Sequence, residues 1–446
     1  MKKKFNVYLA SKISSFKKKI IVDSDKSISI RSFLIGAISN NVSEVKNVLE
    51  SEDVFSTIEC LKKLGVKIVK VRPKQYKIFG KNLGSLAIKK NKEINFGNSG
   101  TLARLLIGIL STTPNIEIKV KGDQSLNKRS MKKLISLMSM FGATFLPKNK
   151  FNFPLKLISS NMPVQIFYES GVSAQLKSAV ILAGLNAFGN TKIIEKAQSR
   201  NHTENMLAKN KKVININKKK KIITVIGKKF LNPITVSVPG DPSSAAFFTA
   251  LTLLNSNSKI LLKNVGLNPS RIGFYKILKK QGAKIIFKNL RRKNFEIIGD
   301  IFVSSCKLKP IKASKNYYVS MTDEYPILFV IAALTKGVSI FKGIKDLTNK
   351  ESNRISEMQK ILKQVGVKSI YSNNQLKIFG RDKIDFKHNK INVDALGDHR
   401  ICMSSFILSI LIGANTKIKS FDTVFTSAPS FLKIMKNLGA KFEIQK

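Results

Sequence analysis

Six times along this chain, a few small or charged polar residues lead straight into an apolar, helix-like run. The copies are "DKSISIRSFLIGA" (25–37), "SGTLARLLIGIL" (99–110), "SAQLKSAVILAGL" (173–185), "SSAAFFTALTLL" (243–254), "DEYPILFVIAAL" (323–334) and "GDHRICMSSFILSIL" (397–411). With Lys26, Gly100, Ser173, Ser243, Asp323 and His399 as markers, successive copies lie 74, 73, 70, 80 and 76 residues apart. So regular a period calls for six copies of one supersecondary unit. A helix that is apolar nearly all round must be buried, so each unit needs other elements to cover it.

A second element recurs in phase. Amphipathic runs end at a glycine and continue into branched residues, as in "LKKLGVKIV" (61–69), "MSMFGATFL" (138–146), "LKKQGAKII" (278–286), "LKQVGVKSI" (362–370) and "MKNLGAKFEI" (435–444). The spacing predicts a helix closed by a left-handed glycine and followed by a strand. The third copy degrades to "NMLAKNKKV" (205–213). The second helices open on polar clusters, "SEDVFST" (51–57), "NPSRIGF" (268–274) and "KESNRIS" (350–356), which read as N-caps. The chain is therefore α/β in class, six βαβ-type units, and its 446 residues suit two or three domains.

Charge narrows the partners. The formal net charge is +52, which suits nucleic acid, an anionic membrane or anionic small molecules. Lysine and asparagine are inflated throughout, as in "KNKKVININKKKK" (209–221), so compositional drift explains much of that charge as well. Arginine behaves differently. Of 79 basic residues only 11 are Arg, and seven of these (Arg31, Arg104, Arg129, Arg200, Arg271, Arg354, Arg400) sit in the repeat motifs. A helix N-terminus favours anions, and the guanidinium fork fits phosphate and carboxylate in a way lysine does not. Taken singly, each small-polar start is also what ordinary capping of a core helix produces. Together the pattern points to a polyanionic ligand. Among only 27 acids, Asp323 and Glu351 lie inside these motifs beside basic residues, as a proton acceptor would or as helix-start acids would.

Other chemistries lack support. Cys60, Cys306 and Cys402 form neither a C-x-x-C pair nor a disulfide framework, and His202, His388 and His399 have no metal-ligand spacing with them. There is no G-x-S-x-G elbow and no P-loop. No signal-peptide-like run follows the basic start, and the longest apolar runs, such as "YPILFVIAAL" (325–334), are too short to span a bilayer. The expectation is a cytoplasmic protein.

Ten motifs, in order, carry a resemblance: "DKSISIR" (25–31), "GNSGTLARL" (97–105), "GDQSLNKRSM" (122–131), "SGVSAQLKSA" (170–179), "SRNHTENML" (199–207), "VPGDPSSAAFF" (238–248), "NPSRIG" (268–273), "DEYP" (323–326), "KESNRI" (350–355) and "GDHRICMS" (397–404). The chain resembles the 5-enolpyruvylshikimate-3-phosphate synthase family across nearly its whole length, and "SAQ" at 173–175 is similar to the family's second sequence subgroup. The resemblance implies the two-domain enolpyruvyl transferase fold, with six βαβαββ units, three per domain around buried helices. It implies a domain of residues 1–23 plus 243–446, a domain of residues 24–242, and a hinge near 20–24 and 240–243. The N-terminal strand then returns to the C-terminal domain, and the active site is expected in a ligand-closed cleft where helix N-termini converge.

The implied reaction moves the enolpyruvyl group of phosphoenolpyruvate to the 5-hydroxyl of shikimate 3-phosphate through a tetrahedral intermediate, releasing phosphate. No metal or organic cofactor is implied, nor any nucleic-acid or membrane partner, and the expected state is a monomer. By matching motif, Lys26, Ser27, Arg31, Ser173, the Ala174 backbone, Gln175, Arg200, Asp323 and Lys350 should hold shikimate 3-phosphate. Lys26, Gly100, Arg129, Gln175, Arg354 and Arg400 should hold phosphoenolpyruvate. Asp323 should accept the 5-hydroxyl proton, and Glu351 and Lys26 are the two candidates for protonating the methylene carbon. Arg104, Arg271 and His399 should act behind these groups as orienting residues.

The chain departs from the family pattern at Ile30, Ser130 and Thr426, the last of which removes a cation that part of the family places on phosphoenolpyruvate. Two rivals differ in class. A sister enolpyruvyl transferase acting on a UDP-amino sugar usually carries a cysteine in the loop "GDQSLNKRS" (122–130), which has none here. A basic RNA-binding or RNA-end-processing protein would use the scattered lysines, but these form no single block.

Overall fold

The structure, a computed structural model, describes residues 4–88, 92–293, 296–384 and 390–445; His388 lies outside these. The chain forms two compact units. A middle unit holds Ser24–Val238 and Arg292–Glu296, and a terminal unit holds Met1–Asp23, Pro239–Arg291 and Ile297–Lys446. Each unit has its own hydrophobic core.

The described residues build six four-stranded sheets, three in each unit, and all six share one plan. In the sheet Thr235–Ser237, Val42–Lys46, Gln75–Phe79, Lys67–Arg72, the first pair is parallel and the next two are antiparallel. The same sequence of pairings recurs in Glu93–Asn95, Glu117–Lys121, Leu155–Ile158, Thr144–Leu146. Parallel neighbours need a crossover, and in four of the six sheets the buried helix of the repeat supplies it. Three sheets are completed from far along the chain, one of them by Lys17–Ile21, which lies parallel to Lys259–Gly266. Thr235–Ser237 closes the sheet of the first repeat, and Asn6–Leu9 lies between Thr416–Lys419 and Glu443–Gln445 in the last. The six-unit α/β architecture expected from the repeats is the one observed.

All six markers fall within two residues of a helix start. The buried helices are Lys26–Ile38, Gly100–Ser111 and Ala174–Gly184 in the middle unit. In the terminal unit they are Pro242–Leu254, Tyr325–Ala333 and His399–Ile412. Every residue of Tyr325–Ala333 is buried. In the middle unit the packing is close enough that a Cβ at Gly108 would stand 2.6 Å from the Ala179 carbonyl oxygen. Alanine there would force the Gly100 and Ala174 helices apart.

The outer helices end as predicted: Gly65, Gly142, Gly282, Gly366 and Gly439 all have φ between +71° and +97°. The weak third copy is the helix His202–Leu207, only six residues long. The polar clusters ahead of the outer helices are a partial correction. Asn353 accepts from Ser356 N, but Ser51 makes no side-chain cap bond, and the third of these helices starts only at Gly273. Among the described residues no helix is long and apolar enough to cross a membrane.

Candidate active site

The predicted site residues fall into two clusters, one on each unit, and most lie at or near the start of a helix, while Arg129 closes the short helix Gln124–Lys128. In the middle unit Asp25 caps the Lys26 helix by accepting from Ile28 N at 2.8 Å, which leaves Lys26 and Ser27 in the first turn. Lys26 Nζ meets Asp53 Oδ2 at 2.9 Å, and the Asp53 side chain is buried. Arg31 is also buried. It donates from Nε to Thr203 Oγ1 at 2.8 Å, from Nη2 to Ser178 Oγ at 3.1 Å and from Nη1 to the Ser27 carbonyl at 3.1 Å.

The Gly100 and Ala174 helices are capped by Ser99 and Ser173, whose hydroxyls accept from Leu102 N and Leu176 N. Their first turns are tied together by Gln175. Its Nε2 donates to Thr101 Oγ1 at 3.0 Å, while its Oε1 accepts from Arg104 Nη1 at 2.9 Å. Arg104 thus lies against Gln175 through a direct hydrogen bond. Arg129 donates from Nη2 to Asn98 Oδ1 at 2.8 Å and to Ser125 Oγ at 3.2 Å. Gly100 faces both arginines: a Cβ there would lie 2.7 Å from Arg104 Nη1 and 3.2 Å from Arg129 Nη1. Arg200 is half-buried in the stretch leading into the His202–Leu207 helix.

The terminal unit collects carboxylates. Asp323 stands two residues ahead of the Tyr325 helix, with its Oδ1 3.7 Å from Arg354 Nη1. Arg354, fully buried at the start of Arg354–Gln364, also reaches Glu351 Oε2 with Nη2 at 2.6 Å and Asp398 Oδ2 with Nε at 2.8 Å. Asp398 caps the His399 helix by accepting from Arg400 N at 2.9 Å, so one carboxylate fixes both Arg354 and the backbone that carries Arg400. The Arg400 side chain is buried with its guanidinium 5.8 Å from the centre of the Phe247 ring, and its Nε and Nη1 have no acceptor among the described residues.

Electrostatics follow from this crowding. Burial alone would lower the Arg354 guanidinium, but Asp398, Glu351 and Asp323 overcome it and hold that group above its ordinary value. Burial lowers the Lys350 ammonium, Asp323 opposes that shift, and Arg354 adds to it. The Lys350 ammonium also lies 5.9 Å from the centre of the Tyr318 ring. The arrangement can thus present carboxylates and a lysine whose ammonium is lowered from its ordinary value to one bound molecule while holding anions on Arg400.

Arg271 belongs behind this cluster. It donates to Asp241 Oδ1 at 3.2 Å and to Ser243 Oγ at 2.8 Å, and the Ser243 hydroxyl in turn bonds Glu324, the residue after Asp323. Thr426, at the position where part of the family has a cation, is buried and donates to the Thr423 carbonyl at 2.8 Å. Reading the sequence missed the partners: Asp53, Asn98, Ser178, Thr203, Glu324 and Asp398. All six stood inside quoted stretches, and Asp53, Glu324 and Asp398 are acids in a chain poor in acids.

Comparison with known proteins bears on the family and the fold. The profile of the family described as EPSP synthase (3-phosphoshikimate 1-carboxyvinyltransferase) matches residues 10–435. The chain is 37% identical over 431 residues to 3-phosphoshikimate 1-carboxyvinyltransferase of Zymomonas mobilis, covering 96% of this chain and 95% of that protein. It is 38% identical over 432 residues to the protein of the same name from Persephonella marina, covering 96% and 98%. Among solved structures, EPSP synthase from Acinetobacter baumannii superposes with a TM-score of 0.86 at 31% identity, over 99% of this chain and 100% of that one. The enolpyruvyl transferase NikO from Streptomyces tendae shares the fold, with a TM-score of 0.75 at 10% identity over 99% of each chain.

Proposed function

The chain belongs to the EPSP synthase (3-phosphoshikimate 1-carboxyvinyltransferase) family and transfers the enolpyruvyl group of phosphoenolpyruvate to shikimate 3-phosphate; we propose that its two clusters divide this reaction between gripping substrates and moving protons. The middle unit supplies most of the grip. Ser27, Arg31, Ser173, the Ala174 backbone, Gln175 and Arg200 take shikimate 3-phosphate, and Lys26 touches both substrates. Gly100, Arg129 and Gln175 take phosphoenolpyruvate with Arg354 and Arg400 of the terminal unit. Lys350 assists on shikimate 3-phosphate.

The terminal unit supplies Asp323 and Glu351 to the proton chemistry, and the middle unit supplies Lys26 as the other candidate donor. Asp323 accepts the 5-hydroxyl proton as that oxygen bonds to C2 of phosphoenolpyruvate, and Glu351 or Lys26 delivers a proton to the methylene carbon. The resulting tetrahedral adduct then loses phosphate and a methyl proton to restore the double bond. Two anions must be held together, so positioning and fixed charge provide much of the rate. The observation that carries this reading is the gathering of Asp323 and Glu351 on the single guanidinium of Arg354.

The wording Ser173-Ala174-Gln175 supports membership of the second sequence subgroup. The division of the chain between the units at 23/24 and 238/239 supports a hinge near residues 20–24 and 240–243, although Arg292–Glu296 also falls in the middle unit. Three unbridged cysteines, two of them buried, support a reducing cytoplasmic setting, and we read the working form as a monomer. The test is phosphate release from phosphoenolpyruvate with and without shikimate 3-phosphate, on the wild type and on Asp323→Ala. Release that requires shikimate 3-phosphate and collapses in the variant is expected; release from Asp323→Ala at the wild-type rate would remove Asp323 as the base.

A further inference from the structure

Lys177 lies in the Ala174 helix with a fully buried side chain, and its ammonium meets two carboxylates, Glu195 Oε1 at 2.6 Å and Glu204 Oε1 at 2.5 Å. Glu195 ends the strand Asn190–Glu195, and Glu204 lies in the first turn of the His202–Leu207 helix. A buried ion pair of this kind seldom adds stability beyond what an apolar pair of the same volume gives, so its use here calls for a positional reason.

The neighbouring residues supply that reason. Ser178 and Thr203, next in sequence to Lys177 and Glu204, are the two hydroxyls that hold Arg31, and Thr203 Oγ1 donates to Ser178 Oγ at 2.8 Å. Two adjacent rungs therefore join the same two helices: Lys177 to Glu204, and Ser178 to Thr203. The second rung carries the Arg31 guanidinium. A helix of six residues does not hold itself in place, and its N-cap Asn201 makes no side-chain cap bond. Its position must come from tertiary ties. Ties run through His202 and Asn205 to Glu296, at 2.8 and 3.0 Å, from Thr203 to Ser178 and Arg31, and from Glu204 to Lys177, the only one of these that is an ion pair to another helix, while Met206 and Leu207 are buried. Arg200 lies two residues ahead of the helix and follows any shift of it.

We propose that the Lys177–Glu204 pair is the positioning element of the shikimate 3-phosphate subsite, setting the short helix so that Thr203 and Ser178 aim Arg31 while Arg200 is carried into place. The inference rests on the assignment of Arg31 and Arg200 to that substrate. A charge-assisted contact fixes distance and direction together, whereas an apolar contact lets the helix slide.

The experiment uses the full chain with Thr203→Val, and with Lys177→Met and Glu204→Gln combined so that no buried charge of that rung is stranded. Thermal unfolding, the KM for each substrate, kcat and shikimate 3-phosphate binding by calorimetry are measured. Both variants are expected to unfold within a few degrees of wild type and to bind shikimate 3-phosphate about tenfold more weakly, the size of one lost hydrogen bond to a charged group. The KM for phosphoenolpyruvate should move less than about twofold. Unchanged shikimate 3-phosphate affinity in the double variant overturns the proposal. So does a uniform effect, with both KM values raised and kcat and unfolding temperature lowered, which a purely structural pair would give. Wild-type chain that fails to bind shikimate 3-phosphate would overturn the substrate assignment itself, and this inference with it.

Discussion

The two units repeat one scaffold but load it differently. In the middle unit the helix starts present cations, and the nearby acids are committed: Asp25 caps a helix and Asp53 pairs with Lys26. In the terminal unit the starts present acids, with Asp323, Glu351 and Asp398 all on Arg354. Both exploit the unsatisfied N–H groups of a helix N-terminus. We propose that one serves mainly as an anion receptor and the other mainly moves protons, so the scaffold provides position while a few side chains provide chemistry.

The sharpest way to break this comparison is to remove one acid. Asp323→Ala is expected to lower kcat by about 10³-fold, within the usual span for a lost general base, while both KM values stay within about threefold. Steady-state phosphate release checks it. A large KM effect with kcat intact would mean that Asp323 grips substrate, and the division between the units would fail.

Smaller effects should come from the arginines. Arg400→Ala removes the buried Nε and Nη1 donors and is expected to cost about 100-fold in kcat/KM for phosphoenolpyruvate. Arg354→Ala, by contrast, strands three carboxylates and should also cost stability, so thermal unfolding separates an anion-binding guanidinium from an organising one. Below these stands Gly100→Ala. The new methyl would press on Arg104 Nη1 and Arg129 Nη1, the ends of flexible side chains, so the fold should persist. The KM for phosphoenolpyruvate is expected to rise about tenfold, and a double-mutant cycle with Arg104→Lys should show coupling between the two positions.

What the sequence made legible was whatever local pattern decides. The 3.6-residue apolar stripe, the small-polar starts and the glycines at positive φ all act within a few residues, and all six buried helices and five glycine-ended outer helices lie where those signals put them. The candidate residues were equally legible through their motifs. Their partners were not. Thr203 lies 172 residues from Arg31 along the chain, and Asp398 lies 44 from Arg354. No local preference encodes such pairs; only the packed sheets bring them together. The strand Thr235–Ser237 was hidden for a similar reason. Three residues carry little periodicity, and its partner Val42–Lys46 lies nearly two hundred residues earlier.

The finest distinction between the units is how each supports its lysine. Burial lowers the Lys350 ammonium from its ordinary value of 10.5, with Asp323 pulling the other way. The folded chain thus holds that proton less firmly than the unfolded chain does. Between the lowered value and 10.5 the unfolded state binds more protons, so stability rises with pH across that window. Below the window the penalty is present in full. Lys350→Met is therefore expected to be more stable than wild type at pH 7 without substrate, to lose the alkaline rise in the urea midpoint, and to bind shikimate 3-phosphate more weakly. Lys26→Met should behave in the opposite way at pH 7, because it strands Asp53 and lowers the midpoint. Urea titrations of both variants at pH 7, 9 and 10.5 decide it. If both lose stability at pH 7, the terminal unit holds its lysine as the middle unit does, by a paired carboxylate, and the contrast between the two clusters is one of residue type alone.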